Sequence, residues 1–424
     1  MSIHRDIYGS ALMFHHAIFT SRYASVLVSL SIAISSNIIA LYYFFPGEID
    51  PLWPFHNDSY VPALISRDTA LVDTAAYPRP LFIFLLHFTG ALGIRGSLFI
   101  TYCVALITPI FVFILCATIL NIRISVRYYV SLFVYLFLFY SHPYWYVWSN
   151  FDINGQLSLL FSSLAILAAI RGCHWGTIVC FILASLSKET YWITCGILLL
   201  WAHNRLSLQI KLALIFLGSS IVLSLLHSTV VYSTFLSGII TQDPTNNYAV
   251  SYRPIDILIN LAKYIYLGYG FHESGSWIII FMLCTPAILT RHSIINICFL
   301  ILSGVSTIIF NSILSNHFFA GYSLNTAYFF YASVLLFPTS LSSRYRRILV
   351  IGGLLIGIGF FRNYNDSLWY YHQQLIQRDL LISLELRCSE LRNQSVRVLI
   401  RDLNTVFTPF YYGGGGQSIA FRDA

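Results

Sequence analysis

Three observations predict an all-helical polytopic membrane protein. Hydrophobic residues make up 57% of the 424-residue chain and charged residues only 10%, against about 25% charged in soluble globular domains. The mean hydropathy is correspondingly high, at +0.71. Apolar runs of about 15 to 24 residues recur between short polar breaks, the length a helix needs to cross a hydrocarbon core about 30 Å thick; barrel strands would alternate over about ten. Counting these runs predicts about eleven transmembrane helices.

The first span is read over residues 24–45. It lacks a small-residue cleavage site and is read as a retained helix rather than a removed signal peptide. An acidic loop follows over 46–96, in which 60–73 suits a short helix. Pro78 and Pro80 then break the chain before LFIFLLHFTGAL, an apolar run too short for a comfortable crossing, which predicts a juxtamembrane helix lying flat at the interface. The next span is 97–120, and further spans centre near positions 135, 163, 180, 196, 220, 283, 304, 333 and 354, with the polar turn SLSKET shortening those around 180 and 196.

A second polar segment, 232–275, contains an amphipathic run over 255–267 that would cap a cavity from outside. Residues 1–361 therefore form the transmembrane domain and 362–424 a small appendage. The appendage carries an amphipathic helix over 367–391, a short strand, VRVLI, at 396–400 and a tetraglycine run at 413–416. It is too small to be an independent enzyme domain. The chain has no internal repeat and no pair of interrupted spans of the kind many transporters carry.

The net charge of +7 is spread over the inter-span breaks rather than massed on one surface, so it does not predict a nucleic-acid partner. Arg5 and Arg22, Arg123 and Arg127, Arg171, Arg205 and Lys211, Arg291, and Arg344, Arg346 and Arg347 fall in every second break. The positive-inside rule then places the N-terminus in the cytoplasm and puts the acidic loop, the Lys188 turn, segment 232–275 and the C-terminal appendage outside. The eight cysteines show no CxxC or metal spacing and read as small apolar packing residues.

Glu48, Asp50, Asp58, Asp68 and Asp73 all lie in the first outer loop of a chain with only 17 acidic residues. Asp58 is the leading candidate for a general base: Trp53, Phe55 and His56 precede it and would restrict water around its carboxylate. Taken alone, it is better suited to cap a helix starting near Ser59, a common place for aspartate. Asp50 and Glu48 are the rival acids, or ordinary residues of a solvated turn.

Lys188, one of three lysines, sits with Glu189 between two very apolar runs, where an ionisable pair is costly and marks function. It could neutralise a lipid phosphate with Glu189 holding its ammonium, or form a self-satisfied ion pair or snorkel to headgroups. Arg79, stiffened by its two flanking prolines, suits bidentate phosphate binding or a headgroup anchor. Arg253, in SYRP, is a second phosphate candidate for which the structural reading is preferred. Asp152, in WSNFDING, could hold a sugar or cap the helix starting near Asn154. His142, His272 and His317 form no ligand motif, and no metal site is predicted. There is no Walker A loop and no GxGxxG, so a donor already built into the membrane fits better than a cytoplasmic nucleotide.

An acidic loop after the first span, a proline-basic element leading to an interfacial helix, and a later KE turn together resemble the GT-C membrane glycosyltransferases, including the aminoarabinose transferases of lipid A and the protein O-mannosyltransferases. The likeness covers roughly residues 20–205 by pattern. NDSYVPALISRD resembles the family's acid-then-aromatic segment, which implies that Asp58 is the base. YPRPLFIFLLHFTGALG gives Arg79 a phosphate-facing role, and SLSKETYW does the same for Lys188. Many members carry a tight acid pair where this chain has Asp58 followed by Ser59, so Asp50 or Glu48 would substitute.

The resemblance implies a polyprenyl-phosphate sugar as donor, a lipid-linked or surface glycan such as O antigen as acceptor, and inversion at the anomeric carbon. No cofactor is required, and a divalent metal is compatible with the chemistry but unsupported. The expected location is a bacterial inner membrane. The endoplasmic reticulum is the alternative, because sequons at Asn57, Asn365 and Asn393 map outside, although a glycan on Asn57 would crowd Asp58. The competing functions are an O-antigen polymerase, which would depend on outer-loop arginines, and a lipid-oligosaccharide flippase or other transporter, which would place its charges along a mid-membrane path.

Overall fold

A computed structural model describes residues 22–44, 92–142, 153–188, 253–268, 291–313 and 324–336, together with positions 81, 84, 85, 88, 145, 194, 196, 197, 207, 208, 211, 214, 218 and 322. Every regular element among these residues is a helix. In chain order they are α1 (Arg22–Phe44), α2 (Gly93–Ile119), α3 (Val126–Tyr140), α4 (Ile153–Ile170), α5 (His174–Ser187), α6 (Pro254–Gly268), α7 (Arg291–Ser306), α8 (Ile309–Ile313) and α9 (Leu324–Leu336).

Three helices are long and apolar enough to cross a membrane: α1 over Ser25–Tyr42, α2 over Leu98–Ile119 and α4 over Ile153–Ile170. Shorter apolar helices lie at Val126–Tyr140, His174–Ser187 and Ile295–Ser306. The start of α2 and the bounds of α1 agree with the hydropathy reading to within a few residues. The amphipathic run expected over 255–267 is α6, with Pro254 in its first turn, where a missing N–H costs no helical hydrogen bond. In the apolar run after Pro80, positions 81, 84, 85 and 88 are helical.

Helix α2 is the centre of the described bundle, packing on α4, α9, α1 and α3. Its side chains Ala105, Val112, Phe113, Leu115, Cys116 and Ile119 have no exposed surface and join one core with α3 and α9. Polar groups tie the helices where lipid would offer no partner. Tyr102 of α2 donates to the Asn37 side chain of α1 in a buried pair. Thr108 of α2 donates to the Val104 carbonyl at 2.8 Å and to the Gln156 carbonyl of α4 at 3.4 Å, just before Pro109, which interrupts the helical ladder inside α2.

Two tight turns lie at one end of the bundle. Between α2 and α3, Asn121 adopts φ 55 and Ser125 caps α3 by accepting from the Tyr128 N–H. Between α4 and α5, Gly172 adopts φ 71, a conformation glycine takes without a Cβ clash. Both turns are exposed and carry Arg123, Arg127 and Arg171. Asn296 of α7 reaches the same end, its side-chain N–H donating to the Ile119 carbonyl at 3.1 Å.

The span expected around position 304 is interrupted: α7 stops at Ser306 and α8 begins at Ile309. The backbone tightens there to bonds from the Thr307 N–H to the Gly304 carbonyl and from the Ile308 N–H to the Val305 carbonyl, both at 3.2 Å, and hydroxyls add to them. Ser306 Oγ donates to the Ser303 carbonyl, Thr307 Oγ1 to Gly304 and Ser312 Oγ to Ile309, all at 2.6–2.7 Å. A run of hydroxyl residues in an apolar segment offers such local substitutes, which is why hydropathy averaged over the run does not detect the break.

Candidate functional site

Because α2 and α3 are joined by a tight turn, as are α4 and α5, the end of α3, the start of α4 and the end of α5 lie together away from the arginine turns, level with the middle of α2, where the Tyr140 hydroxyl donates to the Leu106 carbonyl and Thr108 reaches the Gln156 carbonyl. The start of α9 joins them, and Lys188 makes the connection. Its backbone leaves α5 in an extended conformation, φ −156 and ψ 125, so the side chain departs from the helix axis. Lys188 is 4% exposed, and its ammonium sits 4.7 Å from the ring centroid of Tyr322, two residues before α9. Such a cation–π contact holds an ammonium without cancelling its charge, and contributes on the order of 2 kcal/mol when desolvated.

The α4–α5 hairpin fixes the lysine backbone. Ser158 Oγ donates to the Ala184 carbonyl at 2.9 Å and to the Lys188 carbonyl at 3.3 Å. Asn154, Ser158 and Ser162 recur every four residues, so they form one stripe along α4. All three are buried. Small and polar residues on this face let two backbones approach closely in a setting without a hydrophobic driving force between helices. Beyond Lys188, Thr194 and Ser306 share a hydrogen bond of 2.8 Å, which brings the end of α7 to the same region.

An aromatic wall stands beside it. Trp145 follows α3, its backbone N–H donating to the His142 carbonyl at 2.9 Å, and both residues are buried. The Trp145 ring meets Tyr140 at 4.9 Å and Phe139 at 5.3 Å, while Phe139 lies 4.3 Å from Tyr328 of α9. One turn of α9 before Tyr328 is Asn325, 1% exposed, whose two amide atoms have no hydrogen-bond partner among the described residues. Asn154 Oδ1 is in the same condition. Each such buried, unsatisfied group costs about 1–3 kcal/mol; Asn154 lies one turn from Ser158, and Asn325 three residues after Tyr322.

Of the residues singled out from sequence as candidates for the site, the structure describes Lys188 and Arg253, together with His142, which forms no ligand motif. Lys188 is buried, whereas Arg253 is exposed at the start of α6, so the two do not share an environment; the Arg253 carbonyl accepts from the Asp256 and Ile257 N–H groups, a helix-starting role. Glu48, Asp50, His56, Asp58, Arg79, Asp152 and Glu189 lie outside the described residues, as do the eleven-span count, the 362–424 appendage and the strand at 396–400. The sequence reading missed Tyr322, Asn154 and Asn325. Polar residues at four-residue spacing opening an apolar run were the available signal for Asn154; nothing local marked Tyr322.

Among the described residues there is no group of three His, Cys, Asp or Glu side chains that could hold a metal ion. No family model matches the chain, and no curated protein or solved structure is significantly similar to it.

Proposed function

We propose that the protein is a GT-C-like membrane glycosyltransferase that moves a sugar from a polyprenyl-phosphate donor to a lipid-linked or surface glycan. The observation that carries this reading is the burial of Lys188 against Tyr322 at the end of a helical hairpin. A lysine in an apolar protein is costly unless its charge is used, and an ammonium with three N–H donors suits a phosphate.

In this reading the donor phosphate meets Lys188, with Arg79 as a bidentate partner and Glu189 positioning the ammonium. Asp58 removes the proton from an acceptor hydroxyl, and the resulting oxygen attacks the anomeric carbon. The bond from that carbon to the phosphate oxygen breaks, the lipid phosphate leaves with its charge neutralised, and configuration inverts. Stabilising a departing phosphate by fixed cations is the kind of electrostatic assistance that supplies most of the acceleration in such displacements. About eleven spans, a cytoplasmic N-terminus and an outer C-terminus in a bacterial inner membrane complete the proposal.

The test is reconstitution of the purified chain in vesicles with polyprenyl-phosphate sugars and glycan-lipid acceptors. Wild-type protein should transfer sugar, and Lys188→Met and Asp58→Asn should each lose most of that activity. Near-normal transfer by both variants would sink the site assignment. Lipid movement across the vesicle without transfer would instead favour a flippase.

A further inference from the structure

An asparagine in the first turn of a helix ordinarily bonds to nearby backbone. Asn325, the second residue of α9, does not: it is 1% exposed and neither its carbonyl oxygen nor its NH2 group has a partner among the described residues. Its place in the fold is informative. It lies three positions after Tyr322, which holds the Lys188 ammonium, and three before Tyr328, whose ring packs on Phe139. On a helix, residues three apart share a face, so Asn325 and Tyr328 lie together on α9. On the other side of Lys188, Asn154 precedes Ser158 by one turn; Ser158 Oγ contacts the Lys188 carbonyl, and Asn154 Oδ1 is also unsatisfied. Tyr322 and Ser158, which both touch Lys188, thus each have within four positions in sequence a buried amide with unused hydrogen-bonding capacity among the described residues.

A phosphate needs cations and donors; a carbonyl oxygen does nothing for it. A neutral group offering both donors and acceptors is the complement of an amide, and sugar hydroxyls have that character. We propose that Asn325, with Asn154, recognises the hydroxyl groups of the sugar attached to the phosphate that Lys188 binds. This inference rests on the donor reading above. Asn325 is then a specificity-determining residue: a site built to hydrogen-bond a hydroxyl rejects ligands that leave its amide unsatisfied.

The experiment measures binding of two lipid classes to the detergent-solubilised full chain: polyprenyl phosphate alone, and a panel of polyprenyl-phosphate hexoses and pentoses. Wild-type protein should bind at least one sugar-bearing lipid more tightly than the bare phosphate. Asn325→Leu should weaken that binding about tenfold, the scale of one or two neutral hydrogen bonds, and leave bare-phosphate binding unchanged; Lys188→Met should weaken both. Asn325→Leu should also raise the melting temperature of the ligand-free protein, because it removes a buried unsatisfied amide. Asn325→Ala, which cannot overpack the site, serves as the second variant. Equal loss of both lipids with a lowered melting temperature in both variants would make Asn325 structural and overturn the inference, as would unchanged sugar-lipid binding. Failure of the wild-type protein to bind either lipid would overturn the donor reading itself, and this inference with it.

Discussion

The two ends of the described bundle are built on opposite terms. At the arginine end the connections are tight, exposed and locally satisfied: Gly172 takes the φ 71 its turn requires, Ser125 caps α3, and Arg123, Arg127 and Arg171 face outward. At the other end a lysine, two asparagines and a tryptophan are buried, and the Asn325 amide and Asn154 Oδ1 have no hydrogen-bond partner among the described residues. The first arrangement costs little and specifies the path of the chain. The second sacrifices stability, and proteins accept such costs at sites that bind or react.

The contrast can be broken most severely at Lys188. Lys188→Met keeps the length and apolar stem but removes the charge. Donor-dependent transfer is expected to fall about 100-fold, the worth of a charge-assisted contact to phosphate, with the protein still monodisperse in detergent. Full activity in vesicle assays would remove Lys188 from the site.

The next effect concerns the packing that brings α9 to the lysine. A Cβ on Gly304 of α7 would stand 3.2 Å from the Thr326 carbonyl oxygen and 3.4 Å from Phe329 Cβ. Gly304→Val must therefore push α7 and α9 apart and should destabilise by about 1–3 kcal/mol, read as a lower melting temperature. Loss of transfer at temperatures where the variant is still folded would show that the α7–α9 contact also positions Tyr322.

Smaller changes sharpen the comparison. Ser158→Ala removes the hydroxyl that contacts the Ala184 and Lys188 carbonyls and should cost about 1 kcal/mol, with reduced transfer because the Lys188 backbone is less well held. Gly172→Ala, at the other end, imposes a left-handed conformation on a residue with a Cβ and should also cost about 1 kcal/mol, but without any change in transfer by the folded fraction. Arg171→Gln, on an exposed turn, should alter stability by less than about 0.5 kcal/mol. Parallel loss of transfer in all three would mean that the two ends are not functionally distinct.

Much of the helical framework could be read along the chain. The bounds of α1 and α2, the helices around 163 and 180 and the amphipathic α6 follow from run length and periodicity, which are properties of adjacent residues. The break at 306–309 did not follow, because tightened backbone bonds and neighbouring hydroxyls satisfy its carbonyls, and a hydropathy average treats hydroxyl residues as mild interruptions. Arg253, for which the sequence favours a structural role over phosphate binding, lies at an exposed helix start. The site was legible only at Lys188, where a charge in an apolar run is conspicuous by itself.

Composition and apolar run length were enough to show helices long and apolar enough to cross a membrane and to mark Lys188 as out of place in its surroundings. Which groups surround Lys188 was decided by folding. Tyr322 and Asn325 belong to a helix far along the chain and arrive through the packing of α9 on α2, α3 and α7. No local pattern encodes that meeting, since a tyrosine or asparagine near an apolar helix has the same propensity whether it faces lipid, core or ligand. Burial without a partner among the described residues is a property of the assembled bundle, which the Asn325 amide and Asn154 Oδ1 share with Ser36 Oγ and Asn37 Nδ2 of α1; run length and propensity do not encode it.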